Sequence, residues 1–111
     1  MDNQHRKIKG YRELSQEDID LMNAVKTKGS ELLELQRRIA NRLNGHASVV
    51  REHMERVDSD PTMDRAEAEV AKVEYLRLRD AEPQRWAAIA KTDIQTGIMA
   101  LVRAIAQPTE C

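Results

Sequence analysis

Apolar residues recur at three- and four-residue steps from position 19 onward, which is the spacing of one face of a helix. The pattern predicts a long amphipathic helix over residues 16–43. Ser15 and Asp18 are typical of its start, because a serine side chain there accepts a backbone N–H that has no partner within the helix. The dipeptide Asn44-Gly45 predicts its end. The apolar stripe of this first helix comprises Ile19, Met22, Val25, Gly29, Leu32, Leu33, Ile39 and Leu43.

Residues 45–80 carry shorter and weaker patterns. Apolar residues over 46–57 indicate a short helix, the sequence DSDP at 58–61 indicates a turn, and 62–80 is again helical in its spacing. The pattern over 83–106 predicts a C-terminal helix that is apolar over much of its circumference, with Pro83 in its first turn. We therefore expect the C-terminal helix to pack against the first helix and against other copies of the chain.

The length of the first helix bears on assembly. At about 1.5 Å per residue, a helix over 16–43 is about 42 Å long, whereas a compact chain of this size has a radius of gyration of about 13–14 Å. A lone globule does not cover such a helix, so we expect an all-α helical hairpin, a single domain over 1–111, that assembles into a homo-oligomer. Gly29 on the apolar stripe predicts close approach of another backbone, or a helix break.

The composition agrees with an all-α core and excludes several classes of protein. The chain has 111 residues with no Phe, one Trp and two Tyr, so its core consists of Leu, Ile, Val, Met and Ala. A net charge of −1 argues against DNA as a partner, since non-specific DNA binding needs an excess of Lys and Arg. The one cysteine, Cys111, cannot form a disulfide framework. No apolar run reaches the ~18 residues of a membrane span, so we expect no membrane partner.

The three histidines have the wrong spacing for a metal site. His46 and His53 are seven residues apart, whereas a helical zinc pair needs a spacing of about four. We interpret His5, His46 and His53 as solvated surface residues. The sequence also lacks a nucleophile elbow and a glycine-rich phosphate loop. We therefore expect no metal, no cofactor and no enzymatic activity.

The N-terminal arm, residues 1–14, concentrates positive charge before the first helix begins. Over residues 1–12 its net charge is +3, from Arg6, Lys7, Lys9 and Arg12 against Asp2. Basic side chains can neutralise phosphates, and the aromatic ring of Tyr11 offers a face on which a base can stack. The arm therefore has the residue types of a small nucleotide site.

Three further residues extend this interpretation. Gly10 permits a close backbone approach or a positive φ beside Tyr11. Lys26 and Lys28 add positive charge on the first helix. The alternative is a solvated basic tail whose tyrosine packs on the bundle, and from chemistry alone this alternative is the better supported of the two.

Two blocks of the sequence change that balance. The segments HRKIKGYRELSQEDIDLMN at 5–23 and RWAAIAKTDIQTGIMALVRAIAQP at 85–108 resemble the signature blocks of a bacteriophage family, the anti-CBASS sponges of the second type. CBASS is a bacterial defence in which an infected cell makes cyclic oligonucleotides that trigger a death effector. The resemblance implies a small helical protein that sequesters these messengers in the cytoplasm of the infected host without degrading them.

The resemblance also implies an assembly and a site. It implies a hexamer in which cyclic dinucleotides, such as 3′,3′-cyclic GMP–AMP, bind where protomers meet. The family's stacking tyrosine and lysine fall on Tyr11 and Lys26. Some members hold cyclic trinucleotides in a separate pocket, for which Thr27 and Lys28 are candidates because they adjoin Lys26. Residues 45–80 look like a longer excursion than short family members have.

A different class of function remains open from the sequence. A helical, oligomeric protein–protein adaptor, or an antitoxin-like protein, would use the basic arm to bind an acidic partner. A small DNA-binding regulator is a third possibility, and the net charge of −1 counts against it.

Overall fold

A computed structural model describes residues 12–109 of the chain. It contains three helices, α1 (Gln16–Ser59), α2 (Arg65–Ala81) and α3 (Pro83–Ala106), and no strand lies within these residues. The prediction of an all-α fold is thereby confirmed. No helix in the described part of the chain combines the length and the apolar character that crossing a membrane requires.

The start of α1 follows from its first residues. The Ser15 hydroxyl accepts the backbone N–H of Asp18 at 3.1 Å, and the Asp18 carboxylate accepts the backbone N–H of Ser15 at 3.0 Å. This reciprocal pair satisfies donors that have no partner within the helix. Glu17 adds negative charge in the first turn, where the helix dipole stabilises it.

The predicted end of the first helix at Asn44-Gly45 is wrong, because α1 continues to Ser59. The predicted short helix over 46–57 is therefore part of α1. The physical reason is that the apolar stripe persists beyond Gly45, through Ala47, Val50 and later residues. Packing of that stripe on α2 outweighs the cost of about 1 kcal/mol for a glycine in a helix interior.

The turns around α2 have local causes. The carboxylate of Asp60 accepts the backbone N–H of Thr62 at 2.9 Å, and Asp64 caps α2 by accepting the backbone N–H of Ala66. These turn contacts move the start of α2 to Arg65, later than position 62 expected from the sequence. The helix α2 ends at Ala81, its C-cap Glu82 has a left-handed backbone with φ 48°, and Pro83 then begins α3.

Two compact units make up the described chain, and both include parts of α1 and α3. The units share these helices. The single domain predicted over 1–111 stays a prediction. In unit 1, formed by 12–35 and 91–109 among the described residues, the early part of α1 runs antiparallel to α3. Gly29 lies against Ile98, and Arg12 reaches Ile105. The neighbour of Gly29 is thus a side chain, where the sequence predicted a backbone or a helix break.

Unit 2, residues 36–90, pairs the later part of α1 with α2. His46 meets Glu74 and His53 meets Glu67, so partner numbers fall along α2 as they rise along α1, and the two helices are antiparallel. Val50 and Ala71 are the buried apolar residues of this unit within the described chain. The start of α3 is joined to α1 by the side-chain amide of Gln84, which donates to the side-chain oxygen Oδ1 of Asn44 at 2.7 Å.

Large apolar side chains remain exposed in both units. Among the described hydrophobic residues, Val50, Ala71 and Ala106 alone are buried. Exposed large apolar side chains of this number are typical of a chain that buries more surface in an assembly. They comprise Leu21, Leu32, Leu35, Ile39, Val49, Val70, Val73, Tyr75, Leu76, Trp86, Met99 and Leu101.

Candidate functional site

A groove in unit 1 contains Lys26, which the sequence placed in a ligand site. The lysine comes from α1, and the remaining lining comes from α3. The volume of this groove, the Lys26 groove, is about 530 Å³, within the range of about 300–1,000 Å³ for small-molecule sites. Its lining residues are Lys26, Thr96, Ile98, Met99, Ala100, Val102, Arg103 and Ala106.

The lining of the Lys26 groove mixes cations with an apolar floor. Lys26 and Arg103 supply positive charge, and Thr96 supplies a hydroxyl that can donate or accept. Met99, which is 71% exposed, supplies a polarizable thioether that packs well against flat rings. These side chains can bind a ligand that combines aromatic rings with negative charge.

Lys28 lines a second groove in unit 1, also between α1 and α3. Its volume is about 470 Å³, and its lining is apolar apart from Lys28. Residues that are two positions apart in a helix differ by about 200° in direction. Lys26 and Lys28 therefore point to different sides of α1. The Lys28 ammonium also lies 3.9 Å from the Glu31 carboxylate. Thr27, between the two lysines in sequence, is exposed.

Arg12 is engaged with the protein itself. Its Nη2 atom lies 2.9 Å from the Asp18 carboxylate and donates to the Ile105 carbonyl oxygen at 2.8 Å. The backbone N–H of Ser15 and the Arg12 guanidinium together lower the pKa of Asp18 below its ordinary value, because both stabilise its charged form. Contact of Arg12 with a phosphate stays a prediction.

The rest of the predicted arm site lies outside the described residues 12–109. This applies to Tyr11, Gly10, Lys9 and Lys7, whose roles as stacking face, flexible backbone and phosphate partners stay predictions. The structure therefore brings Lys26 together with α3 side chains and separates it from Lys28.

The histidines of α1 contact carboxylates on α2. His46 Nε2 lies 3.1 Å from Glu74, and His53 Nε2 lies 3.3 Å from Glu67. Hydrogen bonds from Arg77 and His46 lower the pKa of Glu74 from 4.5 to about 2. Between residues 12 and 109, no three His, Cys, Asp or Glu side chains cluster in a way that could hold a metal ion.

The sequence did not predict the α3 residues of the Lys26 groove, among them Thr96, Met99 and Arg103. Thr96 and Arg103 belong to a narrow polar stripe on the otherwise apolar C-terminal helix. A polar stripe on a helix expected to be central was the available signal for a binding surface. Met99 lies on the same helix face, three residues after Thr96 and four before Arg103, but an apolar residue is no signal in a helix that is apolar over much of its circumference.

Two comparisons connect this chain with known proteins. Residues 59–106, which include all of α2 and α3, match the family model described as Acb2/Tad1, hairpin domain. Over its full length the chain resembles Anti-CBASS protein 2 of Pseudomonas phage JBD67, with 58% identity over 111 residues that cover 100% of both proteins.

The full-length match also bears on residues 45–80. This relative includes the region, since the alignment covers all of both chains, and the expectation of a longer excursion than short family members have stays a prediction. In the structure, residues 45–59 continue α1, and α2 packs on this part of α1. The region is a regular part of the fold in unit 2.

Proposed function

Since the chain belongs to the family of Anti-CBASS protein 2, we propose that it antagonises CBASS by binding cyclic oligonucleotides and holding them intact. The observation that carries the proposal is the 58% identity with that protein over the whole of both chains. Because the match covers the whole of both chains, it includes both sequence blocks that resemble the family. The Lys26 groove supplies a surface of suitable chemistry.

The proposed ligand class fits the charges of the Lys26 groove. A cyclic dinucleotide carries two phosphates and two bases, so it offers negative charge and flat rings at once. Lys26 and Arg103 can attract the phosphates or lie over a base, and a cation over an aromatic ring adds about 0.5–2 kcal/mol. Met99 can pack against the base face. Base stacking tolerates different bases, which suits a protein that captures several messengers.

An assembly would complete the site. The Lys26 groove is open, and exposed Met99 lies in it, so one copy covers a ligand from one side. A cyclic dinucleotide has twofold or near-twofold symmetry, and a twofold interface presents the same groups from both sides. We therefore propose a homo-oligomer, a hexamer as the resemblance implies, in which two copies of Lys26 enclose one cyclic dinucleotide.

The arm contributes the remaining contacts in this proposal. Tyr11 stacks on a base, Gly10 allows the backbone to approach, and Lys7 and Lys9 meet phosphates. Arg12 directly follows Tyr11 and contacts Ile105 in the last turn of α3. Ala106 of the same turn lines the Lys26 groove, which supports placing the action of the arm at this groove.

A second ligand class belongs to the other side of α1. We assign Thr27 and Lys28 to cyclic trinucleotides, as the resemblance suggested. The support is that Lys28 lines a groove distinct from that of Lys26. Sequestration of either class takes place in the cytoplasm of the infected host and works by mass action: free messenger falls as the binding protein accumulates.

Capture and release tests the proposal. The protein is mixed with 3′,3′-cyclic GMP–AMP, separated from free ligand and heat-denatured, and the released nucleotide is identified by mass. Recovery of intact ligand in stoichiometric amounts is the expected result. Cleaved ligand would identify an enzyme instead. Failure to bind any cyclic di- or trinucleotide would contradict the proposal and favour the adaptor or antitoxin-like alternative.

A further inference from the structure

Arg12 joins the two ends of unit 1. Its Nη2 atom contacts Asp18 in the first turn of α1 at 2.9 Å and Ile105 in the last turn of α3 at 2.8 Å. Arg12 and Ile105 are 93 positions apart in the sequence. One guanidinium nitrogen therefore connects the beginning of the first helix to the end of the last.

The Ile105 carbonyl is one that a helix end leaves without an intrahelical donor. The helix α3 stops at Ala106, and Gln107 turns to a left-handed φ of 53°. The Gln107 N–H donates back to the Arg103 carbonyl at 2.8 Å, and Pro108 has no N–H to donate. Arg12 supplies the donor at Ile105, and its positive charge complements the negative end of the helix dipole.

The Asp18 carboxylate fixes the other side of Arg12. Oxygen Oδ2 of Asp18 accepts both the Ser15 N–H at 3.0 Å and the Arg12 guanidinium. The Asp18 side chain is 18% exposed and that of Arg12 is 39% exposed, so the pair is partly shielded from water. Such shielding makes a charge-assisted hydrogen bond stronger than a fully solvated ion pair.

We propose that Arg12 is a positioning residue, which fastens the start of α1 to the end of α3 and so holds in place the turn of α3 whose Ala106 lines the Lys26 groove. This role replaces the phosphate contact expected from the sequence, and it rests on the proposed function where it concerns the ligand. The guanidinium acts through Asp18 and Ile105 and does not touch the nucleotide.

The two roles of Arg12 predict opposite effects for Asp18→Asn. If Arg12 were a phosphate ligand, neutralising Asp18 would release it and would add net positive charge, so affinity for 3′,3′-cyclic GMP–AMP would hold or rise. A positioning role predicts a loss of about tenfold for Asp18→Asn and a similar loss for Arg12→Gln. The double variant loses no more than either single variant, because the two residues act as one unit.

Ser15→Ala is the matched control. It removes the hydroxyl that accepts the Asp18 N–H but leaves the Arg12 contacts in place. We expect its affinity to stay within about twofold of wild type, with all variants retaining their helix content in circular dichroism. Unchanged or tighter binding by Asp18→Asn, or unchanged binding by Arg12→Gln, would overturn the proposal.

A second readout needs no ligand, so it separates this inference from the proposed function. NMR titration of Asp18 in Arg12→Gln should give a pKa closer to its ordinary value than in wild type. Exchange of the Gln107 amide should become faster. An Asp18 titration and a Gln107 exchange rate identical to wild type would refute the contact, whether or not the wild-type protein binds cyclic GMP–AMP.

Discussion

The two units use the same helix, α1, with partners of opposite chemistry. In unit 1 the partner is α3, a mainly apolar helix whose Ile98 packs against Gly29 of α1. In unit 2 the partner is α2, whose Glu67 and Glu74 meet histidines of α1. The contact between α1 and α3 is apolar packing against a glycine, whereas α1 and α2 are also joined by hydrogen bonds between histidines and carboxylates.

This difference bears on where a ligand can bind. In unit 2, Arg77 and Arg56 face carboxylates of α2, so their charges are directed at the protein. In unit 1, Lys26 lines an open groove with Thr96 and Met99. A groove that combines cations with an apolar floor suits an anionic aromatic ligand. The comparison therefore favours unit 1 as the binding unit.

The largest expected effect is on ligand affinity, from Lys26→Ala. Loss of a cation that touches a base or a phosphate should weaken binding of 3′,3′-cyclic GMP–AMP by about 10–100-fold. Isothermal titration calorimetry measures the affinity. Lys28→Ala is the matched control, because Lys28 lies on another side of α1, and it should stay within about twofold. Equal losses in both variants would show that the two sides of α1 are not distinct for this ligand.

The next effect is on packing, from Gly29→Ala. A Cβ atom at position 29 would lie 2.6 Å from Ile98 Cγ1 and would overlap Cδ1. Because a β-branched side chain in a helix has one favoured rotamer, Ile98 cannot turn away easily. We expect a loss of about 1–3 kcal/mol in the free energy of unfolding, measured by urea denaturation.

Gly45→Ala is the matched control for Gly29→Ala. A Cβ atom at position 45 would meet nothing within 4 Å, so the better helix propensity of alanine should stabilise the protein by about 0.5–1 kcal/mol. Opposite signs for the two substitutions would support tight helix packing in unit 1. A stabilising Gly29→Ala would show that α1 and α3 can move apart.

The smallest expected effect concerns acid sensitivity in unit 2. The pKa of Glu74 is lowered from 4.5 to about 2 by Arg77 and His46. A lowered carboxyl pKa contributes stability above the unfolded value, and that contribution disappears as the pH falls from about 4.5 toward 2. Glu74→Gln should therefore reduce the change in thermal stability across this interval.

Arg51→Ala is the control for Glu74→Gln. Arg51 and Glu55 form an exposed pair 3.9 Å apart on α1, which should contribute less than about 0.5 kcal/mol. We expect this variant to follow the wild-type pH dependence in calorimetric melts. If Glu74→Gln also follows it, the contacts of Glu74 with Arg77 and His46 do not stabilise unit 2.

Much of the fold was predictable because strong local signals agreed with the tertiary structure. The Ser15–Asp18 pair marked the start of α1, and Pro83 marked the start of α3. Asn44-Gly45 failed as a stop signal, since a local glycine penalty of about 1 kcal/mol is smaller than the packing of a continuing stripe. Sequence periodicity does not reveal which helix supplies that packing.

The candidate site was less predictable than the fold. Lys26 was identified through the family resemblance, and the structure adds α3 residues that a pattern on α1 cannot indicate. Arg12 shows the limit of reasoning from residue type. A basic side chain beside an aromatic one suggested a phosphate partner, which stays a prediction, and gave no sign that the guanidinium contacts Asp18 and Ile105. Contacts across 93 positions of sequence have no local signature.

A crystal structure of the protein with 3′,3′-cyclic GMP–AMP would show whether the Lys26 grooves of two copies enclose the ligand. We expect one ligand between two copies, with Tyr11 against a base and Arg12 still in contact with Asp18 and Ile105. A ligand bound in unit 2, or one held by a single copy without Lys26, would contradict it.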